Sequence, residues 1–183
     1  MTRQAVEDGV LDVLPAVLMH GDLVPSNIMV DPATWAVKGY VDWAEAEFLP
    51  YGLCLYGNEH LLGYMDFDEH TGRPHFVYYD QAAEIRAAFC TALKQQVPHA
   101  VTKEVRHALA ISLHLGVFLW HGFAWDDGRI DRVVNPDDDP IEMAYLEGFF
   151  RVRSFPVRLE ECYHDKNPTI SSRFFFRSSE DVR

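Results

Sequence analysis

The chain has 183 residues, 48% of them hydrophobic and 13% aromatic, which excludes a disordered protein and is enough for one domain with a buried core. Its 28 acidic and 16 basic residues give a formal net charge of −12, which disfavours binding to nucleic acids and to anionic membranes. No apolar run is long enough to span a bilayer, and the residues up to Asp12 lack the apolar core of a signal peptide. We therefore expect a cytoplasmic protein that acts on a small molecule.

The cysteines support the same location. Cys54, Cys90 and Cys162 are odd in number and far apart, and they show neither a CxxC motif nor the Cys/His spacing of a zinc site. We expect three free thiols, which is typical of a reducing compartment.

Short segments dominate the first part of the chain. Residues 4–14 have a helix-like apolar spacing, and residues 16–20 are a short apolar run. Residues 28–31 and 37–42 are predicted to be strands, with turn-forming residues between them at Asp31-Pro32-Ala33-Thr34.

The pattern becomes helical after Pro50. Residues 77–97 carry an amphipathic stripe, whereas residues 102–124 are apolar almost all round and are predicted to form the central buried helix. Another helix is predicted at 140–152, after a loop at 135–140. Residues 165–183 have no period and are a candidate for partial disorder.

Four residues of the first part carry the chemistry. Asp22 lies in a tight loop after the apolar run, Asn27 begins the next predicted strand, and Asp42 ends the strand after that. The hairpin between these strands brings Asn27 and Asp42 together, so two carboxylates and a carboxamide form a candidate Mg²⁺ site. A carboxylate beside such a site is a candidate general base, and His20 is predicted to orient the loop through a backbone hydrogen bond.

The series His-Gly-Asp, then Asn27, then Val-Asp-Trp at 41–43 resembles the catalytic loop and metal-binding strand end of aminoglycoside phosphotransferases and choline kinases. The resemblance extends over roughly residues 10–155 and is greatest to fungal members. It implies that Asp22 is the catalytic base, that Asn27 and Asp42 bind magnesium, and that His20 stabilises the loop.

The resemblance also implies a fold. It indicates an α+β, mainly α-helical protein with a protein-kinase-like C-terminal lobe and a short catalytic-loop β-hairpin. Residues 1–164 would then be a single domain, followed by the tail at 165–183.

One departure from the family pattern affects the functional hypothesis. Kinases of this type need a glycine-rich loop over the phosphates and a strand lysine paired with a helix glutamate, and both precede the catalytic loop. Only nineteen residues precede His20, none of them is a lysine, and Gly9 is their only glycine. We therefore expect the ATP-binding lobe to be missing.

Three functions are compatible with these observations. The favoured hypothesis is an ATP-independent enzyme that uses Asp22 and His20, without a cofactor, for cyclisation, lactonisation, dehydration or isomerisation of a secondary metabolite. The first alternative is a phosphotransferase, or a fragment of one, that uses Mg²⁺ and ATP; the second is a non-catalytic binding module. In each case we expect a homodimer or a partner chain to cover the surface of the missing lobe.

The remaining candidates are weaker. Three histidines recur at intervals of seven on the predicted central helix and are interpreted as core or interface residues rather than pocket ligands: His107, His114 and His121. Four tryptophans are interpreted in the same way: Trp35, Trp43, Trp120 and Trp125. Five acidic residues are interpreted as surface, structural or solvated-loop residues: Glu45, Glu47, Asp137, Asp138 and Asp139.

Overall fold

The computed structural model describes residues 2–96, 102–126 and 129–151. Their helices are α1 (Thr2–Glu7), α2 (Tyr56–His60), α3 (Ala82–Gln96), α4 (Lys103–His121) and α5 (Pro140–Arg151). Their strands are β1 (Ala16–Met19), β2 (Ile28–Val30), β3 (Val37–Tyr40), β4 (Glu47–Pro50), β5 (Gly63–Phe67), β6 (Pro74–Tyr78), β7 (Phe123–Asp126) and β8 (Arg129–Val133). Short 3₁₀ turns lie at Val10–Val13, Pro25–Asn27 and Leu53–Leu55.

The strands form four antiparallel pairs, β1–β4, β2–β3, β5–β6 and β7–β8. In the first pair, Ala16 lies opposite Pro50 and Met19 opposite Glu47. The strand β1 ends directly before His20, and β2 begins directly after Asn27. The first two pairs therefore hold the two ends of the loop at residues 20–27.

Helix α4 forms the centre of the core, as its apolar circumference predicts. Its Ala108, Leu109 and Val117 are fully buried, and Phe149 of α5 is buried with them. The Thr102 hydroxyl accepts a hydrogen bond from the Val105 amide at 3.2 Å and caps the helix start.

The packing of α4 on the turn at Leu53–Leu55 depends on a glycine. A Cβ atom at Gly116 would lie only 2.0 Å from the Leu53 carbonyl oxygen, so no larger residue fits there. This close backbone contact fixes the distance between α4 and the segment that leads into α2.

The predicted strands at 28–31 and 37–42 and the helix at 140–152 are confirmed within about two residues. The helix-like segment at 4–14 is divided at Gly9, which has a φ of 73°. The prediction of helices alone after Pro50 is wrong, because β5 to β8 form two hairpins, and the described fold is a mixture of helix and strand.

Both predicted long helices are shorter than expected. The helix predicted at 77–97 begins only at Ala82, because residues up to Tyr78 pair with β5. The helix predicted at 102–124 ends at His121, because Phe123 begins a strand that pairs with β8. Hydrogen bonds between strands outweigh the helical spacing at these ends.

The structure tests the prediction of free thiols for two of the three cysteines. Cys54 is a free thiol but Cys90 is disulfide-bonded, so the expectation of free thiols is wrong for Cys90, whereas Cys162 lies outside the described residues. The tail at 165–183 also lies outside them. No described helix is long and apolar enough to cross a membrane.

A buried ion pair connects α2, α3 and β6. The Arg86 guanidinium donates to both carboxylate oxygens of Glu59, at 3.1 and 2.7 Å, and the Tyr78 hydroxyl donates to Glu59 at 2.8 Å. The Glu59 side chain is only 6% exposed, so its charge depends on these partners for the interactions that water would otherwise supply.

We expect Glu59→Gln to lower the free energy of unfolding by about 3 kcal/mol, because Arg86 then keeps a buried charge without a counter-charge. The matched control is Glu7→Gln in the exposed Arg3–Glu7 pair, which should cost less than about 1 kcal/mol. Urea denaturation at neutral pH measures both values. Equal losses in the two variants would contradict a structural role for the buried pair.

Candidate functional site

The loop at residues 20–27 is closed by its own backbone. The amide of Val24 donates to the Asp22 carbonyl at 3.1 Å, and the amide of Asn27 donates to the Val24 carbonyl at 3.0 Å. Pro25 occupies the first position of the 3₁₀ turn, where its missing N–H costs nothing. The loop is therefore compact between β1 and β2.

Gly21 allows the chain to turn directly before Asp22. Its φ is 84°, a conformation that residues with a Cβ rarely adopt. A Cβ at this position would lie 2.3 Å from the Glu45 carbonyl oxygen, so the loop and the segment before β4 are in direct backbone contact. The side chains of Glu45 and Glu47 are exposed, as predicted.

His20 joins the loop to the end of β3. Its side chain is buried, and Nε2–H donates to the Val41 carbonyl at 2.8 Å. The ring also packs on Trp43, with 4.6 Å between the ring centroids. This geometry agrees with the predicted backbone hydrogen bond that orients the loop; the buried Nδ1 has no hydrogen-bond partner.

Asn27 holds the Asp22 carboxylate. Its Nδ2 group donates to the Asp22 carbonyl at 2.9 Å and to Oδ2 of Asp22 at 2.8 Å. Both amide hydrogens are thereby used, and the opposite orientation of the amide would place its oxygen against two acceptors. Asn27 Oδ1 is consequently the atom that remains available for a cation or a donor.

The other oxygen of the Asp22 carboxylate is unpaired. Oδ1 is buried and has no hydrogen-bond partner, although a buried acceptor without a partner costs about 1–3 kcal/mol. A hydroxyl group or a cation at this point would remove that cost. Asp22 therefore has one oxygen held by the protein and one without a protein partner.

The structure brings Asp42 to the same region through its neighbour Val41. The Val41 amide donates to the Asn27 carbonyl at 3.0 Å, and the Val41 carbonyl accepts from His20. Asp42 is exposed and has a φ of 62°, which turns the chain out of β3. His20, Asp22, Asn27 and Asp42 thus lie together, as the sequence predicts, but their chemical roles stay predictions.

The donor set suits a hard cation that also binds other oxygens. Among the described residues there is no group of three or more His, Cys, Asp or Glu side chains that would hold a metal by itself. The loop and Asp42 together offer two carboxylates and one amide oxygen, and Mg²⁺ commonly completes such a set with water and substrate phosphate oxygens. The residues present fit magnesium bound with a phosphate ligand better than a metal bound by protein alone.

The three histidines at intervals of seven lie in different surroundings. His107 is exposed, His114 is half-buried against Phe150, and His121 is buried. They do not line one pocket.

The tryptophans differ in the same way. Trp120 packs in the core against Tyr56, whereas Trp35 is 79% exposed and Trp43 is half exposed. The interpretation as core or interface residues is confirmed for Trp120 only, and the Trp125 side chain lies outside the described part of the chain. In the acidic loop, Asp137 and Asp138 are exposed as expected, while Asp139 pairs with Arg132.

Sequence inspection missed a buried polar chain beside α2. His60 Nε2 lies 3.0 Å from His121 Nε2, and His121 Nδ1 lies 3.2 Å from a carboxylate oxygen of Glu142. One set of tautomers satisfies both contacts, with His60 donating to His121 and His121 donating to Glu142. The sequence gave no signal for this chain, because its three members come from three separate helices, α2, α4 and α5.

An apolar pocket of about 170 Å³ lies between α2, α3 and α4. Leu55, Leu62, Phe89 and Leu113 contribute apolar walls, and the Glu59–Arg86 pair also lines it. None of the four candidate site residues lines it. The shaped apolar pocket that the ATP-independent hypothesis requires is therefore not supplied by this cavity.

The comparison with protein families supports the resemblance. Residues 2–53 match the model of the phosphotransferase enzyme family. The match contains the whole His-Gly-Asp, Asn27 and Val-Asp-Trp series, so the resemblance to the aminoglycoside phosphotransferase and choline kinase superfamily is confirmed for this segment. No curated protein and no solved structure matches the chain.

The phosphotransferase-like segment contains a testable steric constraint. We expect Gly21→Ala to lower the free energy of unfolding by about 3 kcal/mol, because it combines an unfavourable positive φ with a clash against Glu45. Gly72→Ala is the matched control, since Gly72 has a φ of 66° but open space around it, and should cost about 1 kcal/mol. Thermal and urea unfolding of both variants decide this; similar losses would show that the contact with Glu45 is unimportant.

The buried histidine pair predicts a pH dependence of stability. Burial, and then the neighbouring His121, lower the pKa of His60 from its usual 6.5 to about 3. The unfolded chain therefore binds a proton that the folded chain does not, and stability falls as the pH drops from about 6.5 towards 3.

Glutamine at position 60 would keep a donor for His121 without titrating. We expect the wild type to lose about 2 kcal/mol more than His60→Gln between pH 7 and pH 5. The exposed His107→Gln should show the same pH slope as the wild type. Denaturation at a series of pH values measures these slopes, and parallel slopes for wild type and His60→Gln would refute the assignment.

Proposed function

We propose that the loop at residues 20–27, together with Asp42, is the base-bearing and metal-binding half of a small-molecule phosphotransferase site. The observation that carries this proposal is the Asp22 carboxylate, which has one oxygen held by Asn27 and the other buried and unpaired. The family match of the same segment supports it.

Asp22 Oδ1 would accept the proton of the substrate hydroxyl as that oxygen attacks the γ-phosphorus of ATP, the bond to the bridging oxygen breaks and ADP leaves. The hydrogen bond from Asn27 to Oδ2 prevents the carboxylate from rotating away, so the unpaired oxygen keeps its direction. His20 has a positioning role in this proposal, because its hydrogen bond to Val41 fixes the loop relative to the end of β3.

Asn27 Oδ1 and the Asp42 carboxylate would hold Mg²⁺, which neutralises the charge of the transferred phosphate when it is bound. The protein contributes negative groups at this point and a formal net charge of −12, so a nucleoside triphosphate would otherwise be repelled. Cation binding is accordingly a requirement of the proposal.

The ATP-independent enzyme is the second candidate. The unpaired Asp22 Oδ1 can accept a proton from any suitably placed small molecule, and this step needs no nucleotide. The phosphotransferase fits better, because the family match supports it. In addition, the apolar pocket that the ATP-independent enzyme would need is not lined by Asp22 or His20. Dependence on ATP separates the two.

The proposed partner surface lies next to the loop. Leu18 and Phe48 face each other across β1 and β4 and are 55% and 69% exposed, and Met29 on β2 is 54% exposed. Apolar side chains exposed on adjacent strand pairs support the proposal that a second copy or a partner chain covers this face.

Calorimetry with Mg·ATP and assays of phosphate transfer to hydroxyl-bearing amines, including aminoglycosides and choline, test the phosphotransferase. We expect Asp22→Asn to lower kcat by roughly a hundredfold or more while nucleotide binding persists. Asp42→Ala should abolish Mg·ATP binding, because it removes a charged ligand of the cation.

The control is Asp137→Asn, an exposed carboxylate far along the chain, which should change neither quantity. If the wild type converts a substrate without ATP and Asp22→Asn does not, the ATP-independent enzyme is favoured. If the protein neither binds nucleotide nor converts a substrate, and Asp22→Asn and His20→Ala leave cellular phenotypes unchanged, the non-catalytic binding module is the remaining function.

A further inference from the structure

Tyr56, the first residue of α2, joins the helical core to the candidate loop. Its hydroxyl donates to the Gly21 carbonyl oxygen at 2.6 Å. This carbonyl belongs to the peptide unit between Gly21 and Asp22. The contact therefore fixes the backbone orientation immediately before the Asp22 carboxylate.

The Tyr56 ring has little freedom to move. It is 4% exposed and stacks on Trp120, with 5.2 Å between centroids and 19° between planes. His60 and His121 meet it edge to face at 6.1 and 6.4 Å. Because close-packed neighbours on several sides hold a buried ring in one orientation, the hydroxyl is held at a defined point.

A backbone contact beside Tyr56 limits movement of the loop along α2. A Cβ atom at Gly57 would lie 2.4 Å from the Leu23 carbonyl oxygen, so helix and loop touch without intervening side chains. The loop thus contacts α2 at two successive positions, through the Tyr56 hydroxyl and the Gly57 backbone.

The hydroxyl is a permanent donor at this position. Burial, and then the negative charge of Asp22, raise the pKa of Tyr56 well above its usual value. The phenol therefore keeps its proton at neutral pH, and the hydrogen bond to Gly21 is not lost there by ionisation.

We propose that Tyr56 is a positioning residue for Asp22, which it orients through the Gly21–Asp22 peptide so that Oδ1 faces the substrate hydroxyl. Asn27 holds the carboxylate itself, whereas Tyr56 holds the backbone from which the carboxylate projects. This inference rests on the proposed phosphotransferase function and adds a residue to that site that lies outside the matched segment at residues 2–53.

Tyr56→Phe tests the role because it removes the hydroxyl and keeps the ring that packs in the core. Tyr78→Phe is the matched control. It also removes a partly buried hydrogen bond of a tyrosine hydroxyl, the 2.8 Å bond to Glu59, but this hydroxyl does not contact the loop. Urea unfolding of both variants first establishes that each is folded.

Two measurements follow on the folded proteins. The first is kcat and KM for phosphate release from Mg·ATP with water as acceptor. We expect Tyr56→Phe to lower kcat roughly tenfold while KM changes less than about twofold, since a misdirected base impairs the chemical step but not nucleotide binding. Tyr78→Phe should leave both within about twofold of the wild type.

The second measurement is independent of activity. The side-chain amide of Asn27 gives a ¹⁵N–¹H signal that reports its two hydrogen bonds to Asp22, and this signal is assigned by its loss in Asn27→Ala. We expect the signal to shift, and exchange of the Val24 amide to accelerate roughly tenfold, in Tyr56→Phe but not in Tyr78→Phe.

An unchanged Asn27 signal in Tyr56→Phe would overturn the inference, as would a rise in KM with kcat unchanged. If the wild type releases no phosphate from Mg·ATP, the proposed function fails separately. The Asn27 signal then still decides whether Tyr56 orients Asp22, with a shift supporting that contact and an unchanged signal refuting it.

Discussion

The two hydrogen bonds from the Asn27 side chain to Asp22 are the interaction on which the candidate site depends. They use both amide hydrogens, so they determine at once the direction of the Asp22 carboxylate and the direction of the Asn27 carbonyl oxygen. One oxygen of each side chain is left for a ligand. A short polar side chain directly before β2 thereby arranges two potential ligand atoms that belong to residues five apart in the sequence.

The loop keeps this arrangement because backbone segments hold it on several sides. Gly21 lies directly against the Glu45 backbone, and Gly57 lies directly against the Leu23 backbone. His20 and Tyr56 then bind carbonyl groups on the neighbouring segments, at Val41 and Gly21 respectively. Glycine is required at both close contacts, since a Cβ would occupy the space of a carbonyl oxygen. Rigid support of this kind is what a positioned general base requires.

Helix α2 carries polar groups that are buried yet paired. Glu59 and His60 follow each other on α2, and the first binds Arg86 while the second binds His121. Each contact satisfies a group whose burial would otherwise be costly. The pairs also define how α2 sits against α3 and α4. Tyr56, on the same helix, contacts the loop directly.

Local patterns in the sequence were sufficient for the His-Gly-Asp, Asn27 and Val-Asp-Trp series and for the hairpin of β2 and β3. Each of these depends on residues close together in the chain. The β5–β6 hairpin, the end of α4 at His121 and the contact of Tyr56 with Gly21 were decided only by the tertiary structure. The packing of three helices around His60 and the close approach of Gly57 to Leu23 join residues that are distant in sequence, and the β5–β6 hairpin packs on α5 through Phe76 and Phe149. Their free energy comes from burial and hydrogen bonding between segments, and no local spacing records it.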